Sequence, residues 1–153
     1  MSSSKALTIG ALVVLCLVGG CVATAVNENK PSNPIKVHSV WQGTCDQTGW
    51  KPYPMILFIK NRKGDAFEGT TWYPTLNNGL IKVSGQIRPK GIVTFTEDEV
   101  IRSSYIEGVR RGVLSGSQYT ATIEGNNLKG GYVITPPGTD KVEKGNILLK
   151  LAD

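Results

Sequence analysis

The sequence is short of the side chains that carry most metal and acid–base chemistry. It holds one histidine, His38, and three cysteines in 153 residues. A zinc enzyme draws on several imidazole or thiolate ligands, so a lone histidine argues against one. His38 has no nucleophile or carboxylate at a diagnostic spacing; Ser39 adjoins it, and neighbours on a strand point to opposite faces. A G-x-S-x-G elbow between strand and helix is missing too, since "GVLSG" has the wrong spacing. The acidic run Glu97-Asp98-Glu99 lacks the turn-spaced oxygens of a calcium loop and reads as a solvated turn whose charges pair with Arg102. No catalytic residue, metal or cofactor is expected, and the chain is not read as an enzyme.

Concentrated charge is lacking as well. Lys and Arg number 17 against 12 Asp and Glu, a formal net charge of +5, but the basic residues are scattered. The nearest approach to a cluster is Arg102, Arg110 and Arg111. A nucleic-acid binder gathers its positive charge on one face, so no nucleic-acid partner is expected. Long apolar runs are also scarce. Ala6 to Val18 is apolar or small apart from Thr8 and Gly10, and falls short of the ~20 residues of a spanning helix. Beyond it no window shows a persuasive helical period.

What is present begins with an address. A short polar start with Lys5 leads into that apolar segment, the layout of a signal peptide. Val18-Gly19-Gly20-Cys21 resembles the lipobox of bacterial lipoproteins: an aliphatic residue, two small residues, then the cysteine that is acylated and becomes the first residue of the mature chain. The resemblance covers the first 21 residues. It implies a signal peptide at 1–20, a lipid on Cys21 and a membrane partner through that lipid. Val22 follows the cysteine where inner-membrane retention would want Asp, so in a Gram-negative host it implies the outer membrane. A rival site exists: Ala23-Thr24-Ala25 is an A-x-A signal that would release a secreted or periplasmic protein. Either cut leaves Cys45 as the lone thiol, read as a buried small hydrophobe. Residues 21–36, with Pro31 and Pro34, read as a flexible tether.

Residues 37–153 read as one domain of strands and turns. Apolar or alternating stretches fall at 37–43, 53–60, 66–73, 80–87, 92–97, 117–123, 128–134 and 146–151. In "AFEGTTWY" Phe67, Gly69, Thr71 and Tyr73 share one face, and in "LIKVSGQI" Ile81, Val83 and Ile87 do. Turns are expected at "NRKGD" (61–65), "PTLNNG" (74–79), "RPKG" (88–91) and "EGNN" (124–127), with Asn78-Gly79 the strongest short signal. Residues 97–116 are open between strand, short helix and long loop. The expected class is all-β: an antiparallel meander of about eight strands, closed into a small barrel, with a β-sandwich as the alternative. "WQGT" (41–44) and the repeated Gly-containing hairpins resemble, in pattern only, the small meander barrels of the avidin and lipocalin type. An eight-stranded barrel either packs solid or holds one small ligand.

The residues singled out for binding are aromatic and basic. Trp50, Tyr53, Trp72 and Tyr73 lie beside prolines or turns, where rigid half-polar rings suit sugars, peptides or protein partners. If Phe67 and Tyr73 face inward, Trp72 faces outward; structural packing is the competing role. Arg110 and Arg111, between Gly108 and Gly112, offer an anion or lipid-headgroup contact or a solvated loop. The expected activity is binding of an envelope protein, a glycan or a small ligand by an anchored barrel. Inhibition of a lytic enzyme such as lysozyme, and a secreted barrel of unknown activity, are the alternatives.

Overall fold

Alternation of apolar with polar residues, broken by glycine turns, produces eight strands in a computed structural model that describes residues 33–103 and 113–153. They are β1 (Val40–Gln47), β2 (Tyr53–Lys63), β3 (Ala66–Tyr73), β4 (Gly79–Arg88), β5 (Ile92–Arg102), β6 (Gln118–Glu124), β7 (Asn127–Ile134) and β8 (Glu143–Leu151). Each pairs antiparallel with the next, and β8 returns to β1 from Trp41↔Leu151 to Gln47↔Gly145. The meander is therefore a closed barrel, which removes the unpaired edges of an open sheet; it is not a sandwich. Among the described residues no helix is long and apolar enough to cross a membrane. Cys21, most of the tether, Arg110 and Arg111 lie outside the described residues.

The faces fall as the alternation requires. Phe67, Gly69, Thr71 and Tyr73 point into the barrel and are buried, while Trp72 lies on the outer face, half-buried. Ile81, Val83 and Ile87 line the inside of β4. Gly85 is needed there, because a Cβ would run into the Phe67 ring and the Phe95 Cβ. Two boundaries differ from expectation. β2 continues through Asn61–Lys63, so that turn is only Gly64 and Asp65. β5 continues through Glu97–Glu99 to Arg102, so the acidic run is strand and not a turn. The first strand also begins later and runs further than 37–43, carrying Cys45.

The two ends of the barrel are connected differently. At one end β2–β3 and β6–β7 are joined by two residues each, 64–65 and 125–126. Gly64 and Gly125 take positive φ at the first central position, as type II′ hairpin turns demand. The chain enters at this end: the His38 amide donates to Ile59 O at 2.7 Å and the Ile59 amide to Ser39 O at 3.0 Å. Ile35 is completely buried and its carbonyl accepts from the Arg62 guanidinium, so packing takes in residues read as tether. Trp41, Leu57, Ile59, Phe67, Leu128 and Leu149 fill the interior. The other end carries the longer connections, at 48–52, 74–78, 103–117 and 135–142.

Candidate functional site

The inward positions near the long-loop end are polar. Glu97 lies on β5 in phase with Val93 and Phe95, and it is 1% exposed. Thr71 and Tyr73, two residues apart on β3, point the same way. The Thr71 hydroxyl donates to Glu97 Oε1 at 2.5 Å, and the Tyr73 hydroxyl donates to the same oxygen at 2.5 Å. Tyr119, from β6, donates to Oε2 at 3.3 Å, and its hydroxyl lies 2.9 Å from that of Tyr73. A second pair stands beside this cluster: the Tyr53 and Tyr132 hydroxyls are 3.4 Å apart, and Cys45 Sγ donates to Tyr53 Oη at 3.4 Å.

Packing holds these rings. Tyr119 stacks on Phe95 with centroids 4.3 Å apart and tilts against Tyr132 at 5.2 Å. Tyr53 tilts against Tyr73 at 5.9 Å. Tyr132 lies over Gly145, where a Cβ would strike the ring. The carboxyl is placed by a bulge. Val83 pairs with Glu97, Lys82 with Glu99 and Ile81 with Val100, so Asp98 is the extra residue. The bulge lets Glu97 face inward while Asp98 and Glu99 are exposed, a device common beside functional sites.

Glu97, Tyr53, Tyr73, Tyr119 and Tyr132 line a cavity of about 110 Å³ with Gln47, Leu76, Ile81, Val113, Leu114, Ser117, Ile134 and Glu143. The volume suits several waters or one small molecule. Gln47 Nε2 donates to Glu143 Oε2 at the rim. Burial pushes the Glu97 carboxyl above its ordinary 4.5, against the pull of the Thr71, Tyr73, Ser117 and Tyr119 hydroxyls. Burial likewise raises Tyr73 and Tyr119, and the neighbouring Glu97 charge adds to both. Tyr53 and Tyr132 are raised first by burial. Burial lifts the Cys45 thiol to about 11. The phenols and the thiol therefore stay neutral at ordinary pH, and Glu97 is the group whose charge is in play.

Of the residues singled out from sequence, Tyr53 and Tyr73 come together on the cavity. Trp50 is 69% exposed on the β1–β2 connection, and Trp72 is outside the barrel, its buried Nε1 lacking a hydrogen-bond partner among the described residues. His38 stacks on Phe58 at the opposite end, 6.3 Å between centroids. Cys45 is a buried free thiol. Sequence reasoning missed Glu97 as a site residue, and with it Thr71, Tyr119 and Tyr132. Comparison of the chain with family models, with curated proteins and with solved structures finds no match.

Proposed function

We propose that the chain is a bacterial envelope lipoprotein, anchored through an acylated Cys21, whose barrel receives a small ligand at its long-loop end. The observation that carries the binding role is the cavity around Glu97, open to the long-loop end and built from tyrosines of four strands, in a barrel size that also packs solid. The lipobox pattern at 18–21 supports the anchor. The unit Asn33–Asp153 begins with residues that lie at the end of the barrel away from the cavity. Binding is the role this arrangement supports, because Glu97 is ringed by neutral hydroxyls and, among the described residues, no activated nucleophile stands beside it.

Two measurements test this reading. The mature N-terminal peptide from the membrane fraction should begin at Cys21 and carry the added mass of acyl chains; a peptide beginning at Val26 would make the protein secreted. Native mass spectrometry of the full chain released gently from membranes should show a bound small molecule, and a bare mass under all extraction conditions would count against the cavity as a ligand site. A second reading, a protein partner seated on the rim, is favoured by one observation. Trp50, Ile101, Leu114 and Val142 are all exposed apolar side chains at the long-loop end.

A further inference from the structure

The hydroxyls of Thr71, Tyr73 and Tyr119 meet on Glu97, and each spends its single O–H on that carboxyl. Their oxygens keep lone pairs and have no proton left to give. The Tyr53 and Tyr132 hydroxyls share one hydrogen bond, which leaves one phenol proton unspent and further acceptor capacity on both. The Gln47 amide places one of its two N–H groups on Glu143. The cavity thus holds more acceptor lone pairs than free donors. Its charge points the same way: among the described residues the lining contains two carboxyls, Glu97 and Glu143, and no lysine, arginine or histidine.

We propose that the ligand is a small organic ammonium compound, its N–H groups directed at Glu97 and the surrounding tyrosine oxygens. An ammonium group offers up to three donors and no acceptor, the complement of this wall. Phenol rings from β2, β3, β6 and β7 attract a cation presented to their faces. An anion would meet two carboxyls, and a neutral alcohol would satisfy the acceptors with one proton only. A bare divalent metal fits poorly, because it wants several anionic oxygens in its shell, and among the described residues no cluster of His, Cys, Asp and Glu is able to hold one. This inference rests on the cavity being a ligand site.

The test is a titration of the full chain in detergent with butylammonium, 1-butanol and butyrate, three probes of similar size and different charge, followed by NMR of the tyrosine ring protons. Butylammonium should bind at least tenfold more tightly than butanol, and butyrate should not bind. Glu97→Gln should bring butylammonium to within about twofold of butanol. If that variant fails to fold, the wild-type chain serves. Lowering the pH protonates Glu97 while the amine stays charged, so ammonium affinity should fall and butanol affinity should hold. The other groups facing Glu97 are Tyr73, Tyr119 and, across the cavity, Tyr53, Tyr132 and Glu143; the four phenols do not titrate on the acid side, and repeating the series in Glu143→Gln assigns the loss. Equal binding of ammonium and butanol overturns the inference and leaves the ligand-site reading standing. A preference that survives Glu97→Gln overturns the role of Glu97. No binding by any probe, with no ligand in the native mass spectrum, overturns both.

Discussion

The two ends of this barrel use the same inward-facing positions for opposite purposes. Where the chain enters, Ile35, Trp41, Ile59, Phe67 and Leu128 are spent on packing, and the strands are joined by the shortest turns. At the other end the equivalent positions hold Thr71, Tyr73, Glu97, Tyr119 and Tyr132, and the connections are longer. Burying a carboxyl works against stability unless its hydrogen bonds are met. The filled end supplies the stability that lets the other end keep a cavity and a desolvated acid, a division expected when a site sits on a rigid scaffold.

The strongest way to break this comparison is to empty the filled end. Trp41 is completely buried and its neighbours across the strands are Leu57 and Leu151. Trp41→Ala should cost about 3–5 kcal/mol in urea unfolding, more than a hundredfold in the folding equilibrium. A loss under ~1 kcal/mol would mean that stability does not reside there. The boundary between the ends is sharpened by Cys45. Its thiol is buried, outside the cavity lining, and raised from 9.0 to about 11. The thiolate fraction at pH 8 is then about a hundredfold lower than that of an exposed thiol, and alkylation should be slower by at least that factor until urea unfolds the chain. Rapid labelling of the native protein would show that the cavity reaches deeper than the Tyr53–Tyr132 pair.

Glu97 makes the cost of the site measurable. Its folded-state value is raised above the ordinary 4.5 by burial, so above that pH the folded state holds a proton that the unfolded chain has released. Stability from this group is fully present below pH 4.5 and is lost as pH rises towards the folded value. The slope is at most one proton, about 1.4 kcal/mol or tenfold per pH unit. Urea midpoints of the wild-type chain should therefore fall as pH rises above 4.5, and the Glu97→Gln variant should lose that component. Parallel profiles for the two proteins would mean that the hydroxyl ring fully offsets the desolvation.

Most of the scaffold was legible because alternation and glycine turns are local signals. "AFEGTTWY" shows its inward face directly, and its strand spans the expected residues, Ala66–Tyr73. Closure was expected from the need to hide edges, and β1–β8 pairing supplies it. The site was legible only in halves. Tyr53 and Tyr73 stood out as aromatics near turns, but Glu97 was hidden in an acidic run that composition reads as solvent-exposed. Strict alternation would have put Glu97 and Glu99 on one face, which looks absurd for a barrel interior. The bulge at Asp98 resolves the conflict, and a bulge has no local sequence signature there. The usable signal was the phase of "IVTFTE", in which Val93 and Phe95 predict an inward residue at 97. Tyr119 and Tyr132 are brought beside it by pairing between β6 and β7, which a single strand's pattern does not show.

The smallest expected effect separates the cavity from its rim. Trp50 is joined to the fold by its backbone amide, which donates to Gln47 O at 2.8 Å, while its side chain is 69% exposed. Trp50→Ala keeps that amide, so stability should change by no more than ~0.5 kcal/mol. Small-ligand affinity should stay within about twofold, because Trp50 is not part of the cavity lining. A large exposed indole with no structural duty is the kind of side chain that anchors protein partners, and capture of a partner that weakens tenfold in this variant would assign the rim to protein recognition. If small-ligand affinity fell tenfold instead, the rim would belong to the cavity. The functional end of the barrel would then reach from the buried acid outward to the tip of the β1–β2 connection.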